Sequence, residues 1–325
     1  MIRCLDFGNN KNPFGNPKLY VEEKFYHINQ LEISKEVSDK PSGTIVKLNN
    51  DYLQISTASQ DVILRSLQTL EGKNLSWKDW AIEVNLQEGD RLNSLSAEDN
   101  QQIEEIEVNC LRSENFWVKQ LSNWEPLELP IREKSQTLVF NLPRIQKQSF
   151  SASSNIHNII SETSLECSPQ DFFLTAFVAY LARISQSKSF SIGIESSIVC
   201  SSESKLNQLF TSFIPCNLEI NLEQTFTDFF VLVQQQINLA QKSKTFHRDI
   251  VTRYPQLTHL QNLSIEQQLP ITVQLTETLN NYHPKSINKF VLVIAQNGDC
   301  ACFYDENSYS DITIDNLLQS FAIFV

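Results

Sequence analysis

The stretch "CSPQDFFLTAFVAYLARIS", residues 167–185, constrains the fold more than any other part of the chain. Ser168 reads as an N-cap and Pro169 as the first helical residue, where a missing N–H costs nothing. Asp171 falls in the first turn, where a carboxylate favours the helix dipole. Beyond that start the side chains are apolar nearly all round. Such a helix cannot lie on a surface and must be buried. The elements around it supply the cover: alternating strands at 190–200 and 213–222, then an amphipathic helix at 226–240 with Phe229, Phe230, Val233 and Ile237 inward. "FVLVIAQNGDCACFYD" is the clearest hairpin, two alternating arms about "NGD", and a helix over 313–321 follows. The reading for this half is α+β with a mixed sheet.

The first third has a different period. Residues 19–35 read as strand segments. Thr44–Leu48, Tyr52–Ser56 and Val62–Leu67 alternate and are split by "NND" and "TASQD", the grammar of hairpins. Several short strands in so few residues predict a small, strongly curved sheet or barrel. Ser76–Trp80 starts a short helix carrying Trp77 and Trp80. Over 96–121 the period becomes helical, with Ser96 and Asp99 as an approximate capping box and Ile103, Ile106, Leu111, Trp117 and Leu121 on one face. Two prolines in "NWEPLELPIREKSQ" end that helix, so a domain boundary is expected across 85–125. The turn-rich opening "DFGNNKNPFGNPKLY" has nothing ahead of it to separate, and reads as a seam behind an element that would precede Met1.

Charge excludes one class of partner. The formal net charge is −12, and residues 1–91 hold 11 positive against 13 negative side chains, so neither half offers the basic surface of a nucleic-acid binder. Seven cysteines occur without a C-x-x-C pair. Cys300 and Cys302, two apart in an alternating strand, should point to one face as small apolar residues. No leader or apolar run of membrane-spanning length appears, and the expected setting is a reduced cytoplasm.

Chemical motifs fail one by one. Asp6-Phe7-Gly8 and His247-Arg248-Asp249 spell kinase tripeptides, but in reversed order and about 240 residues apart, with no glycine-rich loop. "DENSYSDITIDN" has Tyr309, Ser310 and Asn316 where a calcium loop needs a ligand, a glycine and a glutamate. With seven glycines in the chain, neither a dinucleotide fingerprint nor a P-loop exists. Of His27, His157, His247, His259 and His283, only His247 has a local carboxylate, Asp249. These two are the candidate site residues, against the plainer reading of a loop anchoring a helix end. No nucleophile–base set, cofactor site or metal site can be assembled from the residues.

Two resemblances add to this. "MIRCLDFGNNKNPFGNPKLY", "PSGTIVKLNNDYLQISTASQDVILRSLQTLEGKNLSWKDW" and "GDRL" resemble the C-terminal domain of methionyl-tRNA formyltransferase, in the version fused into non-ribosomal peptide synthetases. That resemblance implies an OB-like β-barrel over residues 1–92, with formyl-transfer chemistry in a separate domain ahead of it. "FWVKQLSNWEPLELPI", "SPQDFFLTAFVAYLARIS", "SFSIGIES", "SFIPCNLEINLEQTFTDFF", "TFHRDIVTRYPQL" and the closing hairpin resemble the C-terminal lobe of a peptide-synthetase condensation domain. This implies a linker and connecting helix over 93–130 and an α/β lobe, half of a chloramphenicol acetyltransferase-like fold, over 131–325. His247 and Asp249 would then match the family's His-x-Asp loop.

The departures from that family are specific. Its active-site motif, His-His-x-x-x-Asp-Gly, has no counterpart, since no His-His pair exists in the chain. "FIPCNLEI" lacks the family's Asn and Arg, "HRDIVT" lacks the Pro-Phe after His-x-Asp, and the Arg after "IGIES" is missing. The expectation is a non-catalytic or degenerate assembly-line component. It would scaffold or dock a formyltransferase, carrier or adenylation domain, with no nucleic acid, membrane or bound cofactor of its own. Phosphopantetheine would sit on a carrier and formyl-tetrahydrofolate on an upstream domain. Two alternatives stand beside it: a condensation half-site completed by a partner lobe bearing the His-His motif, and a formyltransferase-derived binding module.

Overall fold

The computed structural model describes residues 17–70, 73–127, 129, 145–150, 160, 165–196, 208–221, 223–248, 250–260, 269–279 and 289–325. They divide into two units. One takes the described residues up to Val108 together with 208–210 and 247–260, and the other takes the rest.

In the first unit the hairpin grammar becomes a six-stranded antiparallel sheet. Its strands are β1 (Lys18–Val21), β2 (Lys24–Ile33), β3 (Ile45–Leu48), β4 (Leu53–Ile55), β5 (Val62–Gln68) and β6 (Asn74–Leu75). The order is β1-β2-β5-β4-β3, with β6 alongside β5. One face holds Tyr26, Ile28, Ile45, Leu53, Leu64 and Leu67, covered by helix α1 (Trp77–Glu83). The Ser76 hydroxyl accepts from the Asp79 amide at 3.5 Å and so starts the helix. Trp77 and Trp80 meet edge-to-face at 5.6 Å, and the Trp77 indole donates to the Arg65 carbonyl at 3.2 Å, which satisfies its polar end inside the core.

Among the described residues the sheet is a half-barrel, and the expected OB-like closure is not shown. Among the described residues β1 and β3 end the path without pairing to each other. The free side of β3 is taken instead by the "GDRL" segment. Ile45 N–H donates to Asp90 O at 2.8 Å, Gly89 N–H to Ile45 O at 2.9 Å and Leu92 N–H to Gly43 O at 2.9 Å. Those bonds occupy the Gly43–Ile45 end of that edge.

Helix α2 (Ala97–Ser122) carries the capping box in full. Asp99 N–H donates to the Ser96 hydroxyl at 3.0 Å, and Ser96 N–H returns a bond to the Asp99 carboxylate at 3.2 Å. The buried positions are Ile106, Cys110, Trp117, Val118 and Leu121, spaced i, i+4, i+11, i+12 and i+15. Leu111, expected inward, is 68% exposed, because the adjacent Cys110 holds the buried stripe and one residue turns the helix by about 100°.

The second unit is built on a mixed sheet of β7 (Ile145–Phe150), β8 (Ser189–Glu195), β9 (Phe213–Glu219), β10 (Ile271–Thr276), β11 (Phe290–Ala295) and β12 (Cys300–Asp305), in the order β7-β12-β11-β10-β8-β9. Strands β8, β10 and β11 are parallel neighbours, and the outer pairings are antiparallel. Helices α3 (Pro169–Ser185), α4 (Phe226–Lys242) and α5 (Asp311–Phe324) accompany it. As its composition requires, α3 is buried over Phe172–Val178 and Tyr180–Ala182. Phe177 stacks on Phe290 of β11 at 6.2 Å and meets Phe321 of α5 edge-to-face at 5.4 Å, so α3 lies between sheet and helix. In α4 Phe229, Val233 and Ile237 are buried, while Phe230 is half-buried. The hairpin turn after β11 places Gly298 at φ +87°, a conformation that glycine adopts without penalty.

Candidate functional site

His247 gains its surroundings from a second layer on the half-barrel sheet. Side chains alternate along β2, so Tyr26 and Ile28 enter the α1-covered core while Phe25 and His27 point to the other face. That outer face should be wet, yet Phe25 is 6% exposed and His27 is fully buried. On β1, Lys18 and Tyr20 stand opposite His27 and Phe25 in the register, and the Tyr20 and Phe25 rings lie 5.0 Å apart.

Two short segments returning from far along the chain belong to this unit. Residues 208–210 contribute the buried Leu209 and Phe210; residues 247–260 contribute Ile250, Val251, Leu257 and Leu260. The Gln208 amide acts as a clip on the β1–β2 hairpin. Its oxygen accepts from Phe25 N–H at 3.0 Å and its nitrogen donates to Glu23 O at 2.7 Å. The hairpin turn itself is strained, since Glu22 and Glu23 both take positive φ (47° and 62°) without being glycine. Phe210 and His247 form an antiparallel bridge, with Arg248 N–H donating to Leu209 O at 3.2 Å and the Arg248 guanidinium to Phe210 O at 3.3 Å. The His247 and Phe210 rings meet at 5.3 Å and 82°.

The electrostatics of this layer oppose protonation. The His27 imidazole is pushed down from 6.5 to about 3, first by loss of hydration, then by the charges of Lys18 and His247; a hydrogen bond to the Leu70 backbone works the other way. His27 is therefore neutral through the physiological range and too weak a base to take a proton near neutrality. The other candidate, Asp249, lies outside the described residues, as do His157 and His283. His259 is exposed on the 3-10 turn Pro255–Leu260. The structure thus couples His247 electrostatically to His27, a link the sequence reading did not assign to it. Its signal was available in retrospect: a histidine two residues from a phenylalanine on the face of β2 opposite Tyr26 and Ile28. Gln208 gave no such signal. Among the described residues no group of three side chains could hold a metal ion.

The mixed sheet has a second place where chemistry could gather, the C-terminal ends of its parallel strands, where α/β sheets commonly bind ligands. Here the Gln170 amide donates to Thr276 O at 3.1 Å and to Ile294 O at 2.7 Å, so one side chain from the first turn of α3 takes the end carbonyls of β10 and β11. Among the described residues the buried strand cysteines offer no nucleophile. Cys216, Cys300 and Cys302 are buried; burial pushes the thiols of Cys216 and Cys302 up to about 12 and raises that of Cys300 as well. Cys300 and Cys302 do lie on one sheet face, opposite Ile294 and Leu292. No helix among the described residues is long and apolar enough to cross a membrane.

No family model matches the chain, and no curated protein matches it. Among solved structures it is similar to the starter condensation domain of rhizomide synthetase RzmA (14% identity, TM-score 0.46, covering 67% of this chain and 52% of that one). It is similar also to the EpoB cyclization-docking bidomain from Sorangium cellulosum (15%, TM-score 0.48, 90% and 64%). A third is the epimerization domain of tyrocidine synthetase B (12%, TM-score 0.47, 84% and 70%). The chain spans about half the length of the first of these and under two-thirds of the second. With TM-scores below 0.5, these likenesses assign neither a family nor a reaction to the chain.

Proposed function

We propose that this chain is a non-catalytic component of a peptide-synthetase assembly line. A formyltransferase C-terminal-like segment over 1–92 would be joined through 93–130 to a condensation-like lobe over 131–325, and the role would be to dock a carrier, adenylation or formyltransferase domain. Phosphopantetheine would arrive on the carrier. One observation carries the reading. The chain has no His-His pair, and the histidine that matches the condensation family's His-x-Asp loop lies edge-on against Phe210, next to an imidazole too weakly basic to assist it. A condensation needs a group that removes a proton from the acceptor amine, and His27 is too weakly basic for that step.

The test mixes purified full-length chain with carrier domains loaded with an aminoacyl group and an acyl donor, and follows both complex formation by sizing and product by mass spectrometry. The proposal expects a complex and no product. Product from this chain alone would overturn it, and so would failure to bind any of the three domain types. Product only after adding a lobe that bears the His-His motif would replace it with the half-site reading.

A further inference from the structure

We infer that Asn297 and Gly298, at the tip of the β11–β12 hairpin, form a gated deamidation site, held unreactive by the folded turn and released when that hairpin opens. The chain has seven glycines, and only Gly298 follows an asparagine. The pairing matters because a residue without a side chain leaves its backbone nitrogen uncrowded and its backbone free to turn toward the preceding amide. In the reaction the Gly298 nitrogen gives up its proton and bonds to Asn297 Cγ. The Cγ–Nδ2 bond breaks, and Nδ2 takes up that proton and leaves as ammonia. Water then opens the five-membered imide at either carbonyl, giving aspartate or its β-linked isomer.

The fold engages each atom that this step needs. The nucleophile is occupied, since Gly298 N–H donates to Ala295 O at 2.9 Å and closes a turn with Gln296 and Asn297 at its centre. The amide is held at both ends: Oδ1 accepts from Asp299 N–H at 3.1 Å, and Nδ2 donates to the Asp299 carboxylate at 2.7 Å. The glycine itself is packed in place. It sits at φ +87°, where a Cβ would stand 2.8 Å from Phe173 Cε2 and 3.2 Å from Pro169 Cβ. For its nitrogen to reach Cγ, the bond to Ala295 must break and the peptide plane must rotate against the first turn of α3. Just inside the turn, Ile294 and Cys300 stand opposite each other without exposed surface, and Ala295 N–H donates to Asp299 O at 2.8 Å. Asn297 is exposed to water, so what the reaction lacks in the folded chain is freedom of the backbone.

The products do not fit the turn they come from. Aspartate at 297 sets a carboxylate oxygen where Nδ2 donated, so a 2.7 Å hydrogen bond to Asp299 becomes a like-charge contact. The β-linked isomer adds a backbone methylene beside a glycine already packed on Phe173. An opening that ends in reaction therefore makes later openings more frequent, and the hairpin keeps a covalent record of having been unfolded.

The test incubates full-length chain at one pH in buffer and across a urea series, and follows conversion of amide to acid in the peptide covering 290–305 by mass spectrometry. Conversion should be at least about tenfold slower in buffer than in unfolding urea, and along the series it should rise in step with loss of amide-exchange protection over the same residues. Asp299→Ala, which frees Nδ2, should speed conversion in buffer about threefold to tenfold and leave the rate in unfolding urea unchanged. Asn297→Asp, which installs one product outright, should raise exchange over 290–305 about threefold to tenfold. If either variant does not fold, the urea series on the unaltered chain decides alone. Equal rates in buffer and in urea would overturn the inference, as would a rate that stays constant while 290–305 opens, or undiminished protection of 290–305 in folded Asn297→Asp.

Discussion

The two units use glutamine for the same task with opposite consequences. Gln170, in the first turn of α3, ties together the ends of two adjacent parallel strands whose neighbours, Ile294, Leu292 and Phe290, are already wholly buried. Gln208 ties a short return segment to a strained hairpin of the half-barrel. In the mixed sheet the polar stitch confirms an arrangement that apolar burial already fixes. In the half-barrel it joins a return segment to the β1–β2 hairpin from outside the α1-covered core. Stability should therefore be concentrated in the mixed-sheet unit and changeability in the other.

The largest expected effect tests the first half of that contrast. Phe177 has no exposed surface and touches both Phe290 and Phe321, so Phe177→Ala removes the ring that joins sheet to α5. The cost should be about 3–5 kcal/mol, transfer plus cavity, measured as a fall in the urea midpoint. Exchange protection should fall over 290–305 and 313–321. If protection fell instead over 18–31, the assignment of stability to the mixed sheet would be reversed.

Gly193 gives an intermediate effect and a sharper geometric test. A Cβ there would stand 2.6 Å from Thr272 Cγ2 and 2.9 Å from Leu269 Cδ1, on the face where β8 and β10 lie side by side. Gly193→Ala should cost about 1–3 kcal/mol through overpacking, and Thr272→Ser in the same chain should recover part of it by deleting the clashing methyl. No recovery in thermal melts of the double variant would show that the strand pair does not approach as closely as the register requires.

Much of this was legible in the sequence, unevenly. The buried α3 was readable because its N-terminal grammar and its all-round apolarity state one thing at two levels, and the 290–305 hairpin because its alternation and its turn agree. Barrel closure was not legible. Strand count and curvature can be read from alternation, but which edge pairs with which is decided by backbone hydrogen bonds, and here Gly89–Leu92 took the edge of β3. The histidine layer was half legible. His247 and Asp249 stood out through local spacing, whereas His27, 220 residues earlier, joins His247 only through the tertiary path of the return segments. Contacts of that span leave no periodicity behind, and Gln208, the residue that secures the layer, is an ordinary polar residue by every local measure.

The smallest effect compares two nearly identical caps. Ser96 opens α2 and Ser168 opens α3, and in both the hydroxyl accepts from the amide three residues on, at 3.0 and 3.1 Å, while it also reaches the aspartate at that position. Replacing either serine by alanine removes one acceptor and leaves an N–H unsatisfied, a cost of about 1 kcal/mol. The local chemistry is the same, so any difference must come from what the helix is attached to. The first turn of α2 is exposed apart from half-buried Asp99, so Ser96→Ala should fray that end with little change in the urea midpoint. The first turn of α3 carries Gln170 and the buried Phe172 and Phe173, so Ser168→Ala should lower the midpoint by the full amount and raise exchange at the ends of β10 and β11. Equal midpoint losses in the two variants would mean that the start of α2 is as firmly held as the start of α3, and the contrast between the units would then rest on their sheets alone.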